Sequence, residues 1–314
     1  MGLTEPRRAT QASYKPRDVE EAIDFHFHRP LAGLLVRRIA DWPVTPNQVT
    51  VASGVVSFSA GVAVLLSIFF APWLAAVGGA LLFVSVILDC ADGQLARVRG
   101  TSSPVGRALD GLVDSVAPLS VMPATVFVLL NAGYGHAWVW PIGWAAGLSL
   151  LWHSQLYDVG KNLYLHATRP DFSLGGQTLF LPEEMEAQRA VMASGGKRLD
   201  ALIMRMWAAW TAPQSNALRP WASAERTPQS DDERALYRRL FRHVMSATTW
   251  LGFGLHLGIV YASLLVTPWW PEAIWVSWAI IAGPLNVVAV SVIVARRRAA
   301  RRFLEELARA RSDD

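Results

Sequence analysis

Long apolar stretches alternate with short polar or basic segments along this chain. A helix needs about 20 predominantly apolar residues to cross a bilayer. Six stretches meet this requirement: 47–70, 73–97, 105–130, 138–157, 248–266 and 273–295. The pattern predicts an all-α polytopic membrane protein with six transmembrane helices.

A different periodicity precedes the first stretch. Between residues 17 and 40, apolar residues recur at steps of three and four among charged ones, which predicts an amphipathic helix lying on the inner leaflet. These residues are Val19, Ile23, Phe27, Leu31, Leu34 and Leu35. Pro43 and Pro46 interrupt the chain after it, and Thr45 is placed to cap the first span.

The long segment between the fourth and fifth stretches, 158–246, has the composition of a soluble region. Helices are predicted near 183–210 and from Ser230 onward, where Ser230 and Glu233 match a capping box. The second helix carries an apolar stripe beside several arginines, which favours a position on the membrane surface. Residues 211–229 are predicted to form a loop.

Charge fixes the expected orientation. The chain has 29 Lys and Arg against 25 Asp and Glu, and the basic residues gather before the first stretch, around two alternate loops and after the sixth. By the positive-inside rule both termini and the 158–246 segment are cytoplasmic. Such a basic face suits anionic lipids and phosphorylated substrates better than nucleic acid. The single cysteine, Cys90, excludes an internal disulfide.

These features predict three parts. Residues 1–46 form a cytoplasmic N-terminus with the interfacial helix, and residues 47–295 form the transmembrane domain with 158–246 as a cytoplasmic helical insertion. Residues 296–314 form a basic cytoplasmic tail. We expect an integral protein of a bacterial inner membrane.

Two aspartates share one face of the second stretch. Asp89, Asp92, Gly93 and Ala96 stand at i, i+3, i+4 and i+7, which is one side of a helix. A carboxylate within a membrane costs roughly 2.5–3.5 kcal/mol at a helix centre, so acids placed there usually serve a function.

The third stretch repeats the arrangement. Gly106, Asp110 and Asp114 are spaced four apart, and a turn containing Gly100 and Pro104 connects the two stretches. The turn should bring both acidic faces together at the cytoplasmic ends of the helices. Four facing carboxylates repel, and either protonation or bound cations would neutralise them.

Hard divalent ions are the natural partners of such oxygen ligands, and Mg²⁺ or Mn²⁺ would keep positions for a substrate phosphate. Two ions held together could grip a diphosphate and stabilise a phosphoryl displacement. The small side chains beside the acids would then give clearance for a base or phosphate.

The spacing Asp-x₂-Asp-Gly-x₂-Ala-Arg-x₈-Gly-x₃-Asp-x₃-Asp, from Asp89 to Asp114, resembles the signature of the CDP-alcohol phosphotransferase family. The resemblance implies transfer of a substituted phosphate from a CDP-linked donor to an alcohol, with release of CMP. It also implies two Mg²⁺ or Mn²⁺ ions and a homodimer. Its residue roles are metal ligation by Asp89, Asp92, Asp110 and Asp114, general-base catalysis by Asp114, and nucleotide binding by Gly93, Ala96, Arg97 and Gly106.

Other candidates have two interpretations each. Asn47 and Thr50 either contact the nucleotide or cap the first span. Lys161 and Arg107 either bind the acceptor or anchor their helices at the membrane surface. Arg97 either pairs with phosphate or a carboxylate, or serves as an anchor.

The most concrete function is attack of a cytosolic alcohol on CDP-diacylglycerol in phospholipid biosynthesis. The alternative within the family transfers a head-group phosphate from a CDP-linked alcohol to a lipid or polyol acceptor. A membrane prenyltransferase would also use acidic helices with Mg²⁺, but its acidic motifs usually lie far apart in the chain. A non-catalytic cation-binding membrane protein or transporter is the hypothesis from another class; no internal repeat supports a transporter.

Overall fold

A computed structural model describes residues 17–101, 103–169, 186, 189–190, 192–195, 198–222 and 227–312. Every regular element among these residues is helical. The α-helices are α1 (Arg29–Ile39), α2 (Pro46–Leu66), α3 (Trp73–Arg99), α4 (Pro104–Asp114), α5 (Val116–Asn131), α6 (His136–Thr168), α7 (Arg198–Ala222), α8 (Asp231–Thr248), α9 (Phe253–Val266), α10 (Ala273–Ala282) and α11 (Pro284–Ser312).

Five helical segments among the described residues are long and apolar enough to cross a membrane. They are Pro46–Leu66, Trp73–Arg99, Pro104–Asn131, Asp231–Val266 and Ala273–Ala310. The chain is therefore an all-α polytopic membrane protein, as predicted. The predicted span 138–157 forms part of α6 but is not among the five, because its four tryptophans, His153 and Gln155 reduce its apolar character.

Prolines divide two of the predicted spans into shorter helices. Pro118 has no backbone N–H that could donate to the carbonyl of Asp114. Helix α4 therefore ends at Asp114, and α5 begins at Val116. Gly283 separates α10 from α11, which starts at Pro284. Hydropathy alone predicted neither division, because both sides of each break are apolar.

The segment before α2 is less regular than the predicted single helix. A 3₁₀ turn (Arg17–Val19) and a π turn (Asp24–His28) come before α1. Ala32 and Val36 of α1 are buried, whereas Phe27 and Leu34 of the predicted apolar face are each 49% exposed. That exposed face is available for contact with lipid, as an interfacial helix requires.

The prediction of a loop over 211–229 was wrong up to Ala222, because α7 continues through Pro213. A proline removes one backbone donor and kinks a helix without necessarily ending it. The predicted start of the next helix is confirmed: Ser230 accepts from the backbone N–H of Glu233 at 3.2 Å, and α8 begins at Asp231.

The apolar side of α8 packs against protein, whereas the sequence placed it on the membrane surface. Leu236, Leu240 and Val244 contact a buried core that includes Tyr237 and Phe241 of the same helix. The rings of Tyr237 and Phe241 are stacked with centroids 4.0 Å apart. This core also includes Phe303 and Leu307 of α11 and Tyr164 of α6.

The chain divides into two compact units. One comprises residues 20–151 and 253–284, and the other comprises residues 17–19, 152–252 and 285–312, counting only described parts of the chain.

Small residues bring the helices of the first unit close together. A Cβ at Gly61 of α2 would lie 2.6 Å from Cβ of Ser120 on α5, and one at Gly79 of α3 would lie 2.9 Å from the carbonyl oxygen of Tyr261 on α9. Ser120 also donates to the carbonyl of Ser57 on α2 at 3.2 Å. Such contacts are the usual basis of helix association in lipid.

Candidate functional site

Three aspartates from two helices meet in the first unit. Asp89 and Asp92 lie one turn apart on α3, and Asp110 lies on α4. One carboxylate oxygen from each can be chosen so that all three lie within 4.8 Å of one another. Asp92 is buried, and the other two are partly exposed. The predicted meeting of the two acidic faces is therefore confirmed.

Asp114 stands beside this group of three. Its side chain is hydrogen bonded to that of Asp89, and it also interacts electrostatically with Asp110 and Asp92. It is also the last residue of α4, next to the break before α5. Asp114 therefore belongs to the same acidic cluster as the other three.

The turn between α3 and α4 positions the acidic face of α4. Gly100 ends α3 with φ of 63°, a left-handed conformation that favours glycine. The hydroxyl of Ser103 then accepts from the backbone N–H of Gly106 at 3.0 Å and caps α4, with Pro104 in its first turn. Ser102, between these residues, lies outside the described residues.

α2 contributes to the site through its first two turns. Thr45 and Gln48 form a reciprocal capping box, in which Thr45 Oγ1 accepts from the backbone N–H of Gln48 at 3.3 Å and Gln48 Oε1 accepts from the N–H of Thr45 at 2.8 Å. The hydroxyl of Thr50 donates to Asp92 Oδ2. Thr50 therefore orients a carboxylate of the cluster, a role that the sequence did not predict.

Glycines at the site face polar side chains at short range. A Cβ at Gly106 would lie 3.1 Å from Asn47 Oδ1, and one at Gly93 would lie 3.3 Å from Arg97 Nη1. Asn47 therefore lies beside Gly106, and Arg97 lies beside Gly93, while Ala96 is partly exposed on α3. Larger side chains at either glycine would displace these polar groups.

The geometry just described falls within a recognised segment. Residues 43–162 match the family model for CDP-alcohol phosphatidyltransferase. This match supports a transferase that moves a phosphate-linked group from a CDP-alcohol to an acceptor. No protein among the curated sequences matches the chain.

The clustered carboxylates of the matching segment fit a divalent metal ion. Their oxygens are hard ligands that converge on one point, which is the donor set that Mg²⁺ and Mn²⁺ prefer. Asp89, Asp92 and Asp110 would hold such an ion, and Asp114 is near enough to Asp89 to support it.

The candidate acceptor residues lie on α4 and α6. Arg107 is a partly buried residue of α4. Lys161 belongs to the second unit and donates to Asp158 Oδ1 at 2.5 Å. Arg296, the first residue of the predicted basic tail, is buried in the second unit and donates to the carbonyl of Gly160 and to the hydroxyl of Tyr237, each at 3.3 Å.

Sequence analysis also missed a buried ion pair beside the site. Arg29 Nε donates to Glu20 Oε1 at 2.7 Å, and Gln94 of α3 donates to the carbonyl of Arg29 at 3.1 Å. Burial would lower the pKa of Arg29, but Cys90, Glu20 and Asp24 together raise it above its ordinary value. Charged residues within the interfacial segment were the available signal, but their partners are remote in sequence.

Arg99 joins the end of α3 to the segment that enters α2. Its guanidinium donates to the carbonyls of Ala40 at 2.7 Å, Trp42 at 2.7 Å and Val44 at 2.5 Å. These bonds fix the path of the chain between α1 and the capping box. Arg99 therefore helps to position the helix that carries Thr50.

Proposed function

We propose that this chain transfers a phosphatidyl group from CDP-diacylglycerol to an alcohol, with release of CMP, in phospholipid biosynthesis. The observation that carries this proposal is the convergence of Asp89, Asp92 and Asp110 within the segment that matches the CDP-alcohol phosphatidyltransferase family model. The apolar helices around the site suit a donor with two acyl chains.

The residues would divide the work of binding. Asp89, Asp92 and Asp110 would hold one or two divalent ions, which offset the charge of a diphosphate when they are bound. Thr50 would keep Asp92 in its orientation. Asn47, Gly93, Ala96 and Gly106 would border the cytidine, and Arg97 would pair with a phosphate.

Asp114 is our candidate for the general base. The acceptor oxygen would attack the β-phosphorus while its proton passes to the Asp114 carboxylate. The bond from that phosphorus to the bridging oxygen would break, and CMP would leave with the electron pair. The contact between Asp114 and Asp89 would keep the base beside the phosphate-binding group without placing it at the centre.

The proposal also includes a cellular location, an oligomeric state and residues for the acceptor. We propose a bacterial inner-membrane protein with its site and termini on the cytoplasmic side, because the basic residues gather at that face. Homodimer formation follows from the resemblance to the family. Arg107 and Lys161 remain our candidates for binding the acceptor.

CMP release tests the proposed reaction. Purified protein with Mn²⁺ and CDP-diacylglycerol is supplied in turn with glycerol phosphate, an inositol phosphate, serine or a lipid alcohol, and CMP is measured. We expect release with one acceptor and loss of release when a chelator removes the ion. A second set pairs CDP-linked head groups with lipid alcohols, and release only there would favour the alternative direction of transfer.

A non-catalytic protein or transporter predicts another result. Such a protein would bind Mn²⁺ through the three aspartates but release no CMP with any donor and acceptor. That outcome would refute the catalytic proposal.

A further inference from the structure

An exposed apolar stripe runs along one side of α7, in the insertion that lies outside the segment matching the family. Leu199 is 68% exposed, and Leu202 and Met206 are each 52% exposed. At 3.6 residues per turn these three side chains fall within about 60° of one another. We call Leu199, Leu202 and Met206 the α7 stripe.

The opposite side of α7 is packed. Ala201 and Met204 are 9% and 1% exposed, and they lie roughly 160° around the helix from the α7 stripe. The helix therefore buries one apolar face and presents a second apolar face outward. Apolar side chains on both faces need two apolar surroundings.

Arginines border the stripe on one side. Arg198 and Arg205 are both exposed and lie about 80° from its centre. An interfacial helix has this arrangement, because its apolar side chains enter the acyl boundary while neighbouring arginines reach anionic head groups. A water-exposed surface would instead need polar residues along the stripe.

A short connection joins α7 to the helical segment that contains the next candidate span. Residues 223–230 separate α7 from Asp231, the polar start of that segment, and the apolar residues of α9 follow further along it. The nine Cα–Cα steps from Ala222 to Asp231 reach at most about 32 Å. The insertion is thereby tethered to a chain segment that continues into the membrane.

We propose that the α7 stripe docks on the surface of an anionic lipid bilayer and anchors the insertion there. A second copy of the chain is a poorer occupant, because three partly exposed side chains offer much less than the roughly 800 Å² per partner of a stable interface. This proposal is independent of the chemistry at the aspartates. It gives the insertion a partner of defined chemistry, a negatively charged membrane.

Spin-label accessibility tests this docking in the full chain. Cys90→Ala removes the natural thiol, and single nitroxides are attached at Leu202→Cys, at Val290→Cys and at Asp232→Cys in vesicles with anionic lipid. Val290 is 61% exposed on a candidate span, whereas Asp232 is exposed at the polar start of α8. We expect the ratio of oxygen to nickel-chelate accessibility at position 202 to approach that at position 290 and to be several-fold above that at position 232.

Removal of positive charge beside the stripe is the second arm of this test. The double variant Arg198→Gln/Arg205→Gln should shift the label at position 202 toward nickel-chelate accessibility, and vesicles without anionic lipid should have the same effect. The matched control, Arg301→Gln/Arg302→Gln, removes two exposed arginines from α11 and should leave that ratio unchanged.

Other outcomes would overturn the proposal. Equal nickel-chelate accessibility at positions 202 and 232 would place the stripe in water. Protection from both reagents with spin–spin broadening would indicate a second copy, and protection without broadening would indicate a covering segment of the same chain. Retained helicity and a single chromatographic species would show that each labelled protein is folded.

Discussion

The first unit holds two sets of buried or half-buried charges that are organised in opposite ways. Around Asp92, acid is packed against acid, and carboxylate oxygens of three residues lie within 4.8 Å. Around Arg29, acid is packed against base, with Glu20 at 2.7 Å from the guanidinium. The second set balances its own charge, whereas the first concentrates charge of one sign.

The difference separates a structural cluster from a functional one. A buried ion pair that is complete within the chain needs nothing from outside, and its loss leaves an uncompensated charge. A cluster of acids is costly unless it binds cations, so its retention in a membrane protein indicates a ligand. Substitutions in the two clusters should therefore affect different measured properties.

The largest effect is expected at the acid cluster. Asp110→Asn removes one charged ligand oxygen at nearly constant volume, and we expect CMP release to fall about a thousandfold, since several kcal/mol of transition-state stabilisation are lost. The folded protein should be no less stable, because a repulsion is relieved. Asp232→Asn, an exposed acid of α8, is the matched control and should retain full turnover. Undiminished CMP release by Asp110→Asn would remove the basis of the proposed function.

The ion pair should show the reverse behaviour. Glu20→Gln leaves Arg29 buried without its charged partner, and we expect the free energy of unfolding in detergent to fall by about 3 kcal/mol. Glu306→Gln breaks the exposed pair that Glu306 forms with Arg239 at 2.6 Å, and it should cost no more than about 0.5 kcal/mol. Equal losses in the two variants would contradict the structural role assigned to Glu20.

A smaller effect is expected at Arg99, whose positive charge is met by backbone carbonyls and not by a carboxylate. Arg99→Lys keeps the charge but cannot reach the carbonyls of Ala40, Trp42 and Val44 together. We expect a loss of about 2 kcal/mol in denaturant titration. Arg38→Lys changes an exposed arginine of α1 and should leave the midpoint where it is.

The smallest expected effect lies in the second unit and depends on pH. Burial, and then the neighbouring carboxylate of Asp18, raise the pKa of Tyr164 to about 12. Unfolded tyrosine has a pKa of about 10, so the folded chain holds this proton more tightly. The contribution of Tyr164 to the free energy of unfolding is complete below pH 10 and is lost as pH rises toward 12.

We expect the unfolding free energy of the natural chain to fall by on the order of 1 kcal/mol over that interval because of Tyr164. Tyr164→Phe should flatten this part of the profile, whereas Tyr134→Phe should change it less, because water screens the exposed contact of Tyr134 with Glu272. A profile unaltered by Tyr164→Phe would show that another group titrates there.

The sequence predicted those parts of the site that depend on local spacing. The acids of α3 share a face because of their three-residue step, and Gly100 and Pro104 reverse the chain between them and Asp110. The cap at Thr45 was also predictable from its neighbours. Local sequence patterns therefore predicted most of the acidic cluster.

Contacts between distant residues were not predictable in the same way. Thr50 and Asp92 are 42 positions apart, and Arg99 reaches carbonyls 55 and 57 positions earlier. Periodicity indicates which face of a helix is polar, but it does not say which helix lies opposite. The division at Ser115 was missed for another reason: hydropathy does not register the missing donor of Pro118.

That division places two of the four acids on a short helix of their own. The eleven residues of α4 carry both Asp110 and Asp114, and Ser115 alone connects them to α5 within the same membrane-crossing segment. Ser115 keeps right-handed helical torsion angles, so the path of α4 follows that of α5, whose Ser120 packs against Gly61 of α2. The placement of these two carboxylates is therefore tied to close helix contacts among apolar neighbours.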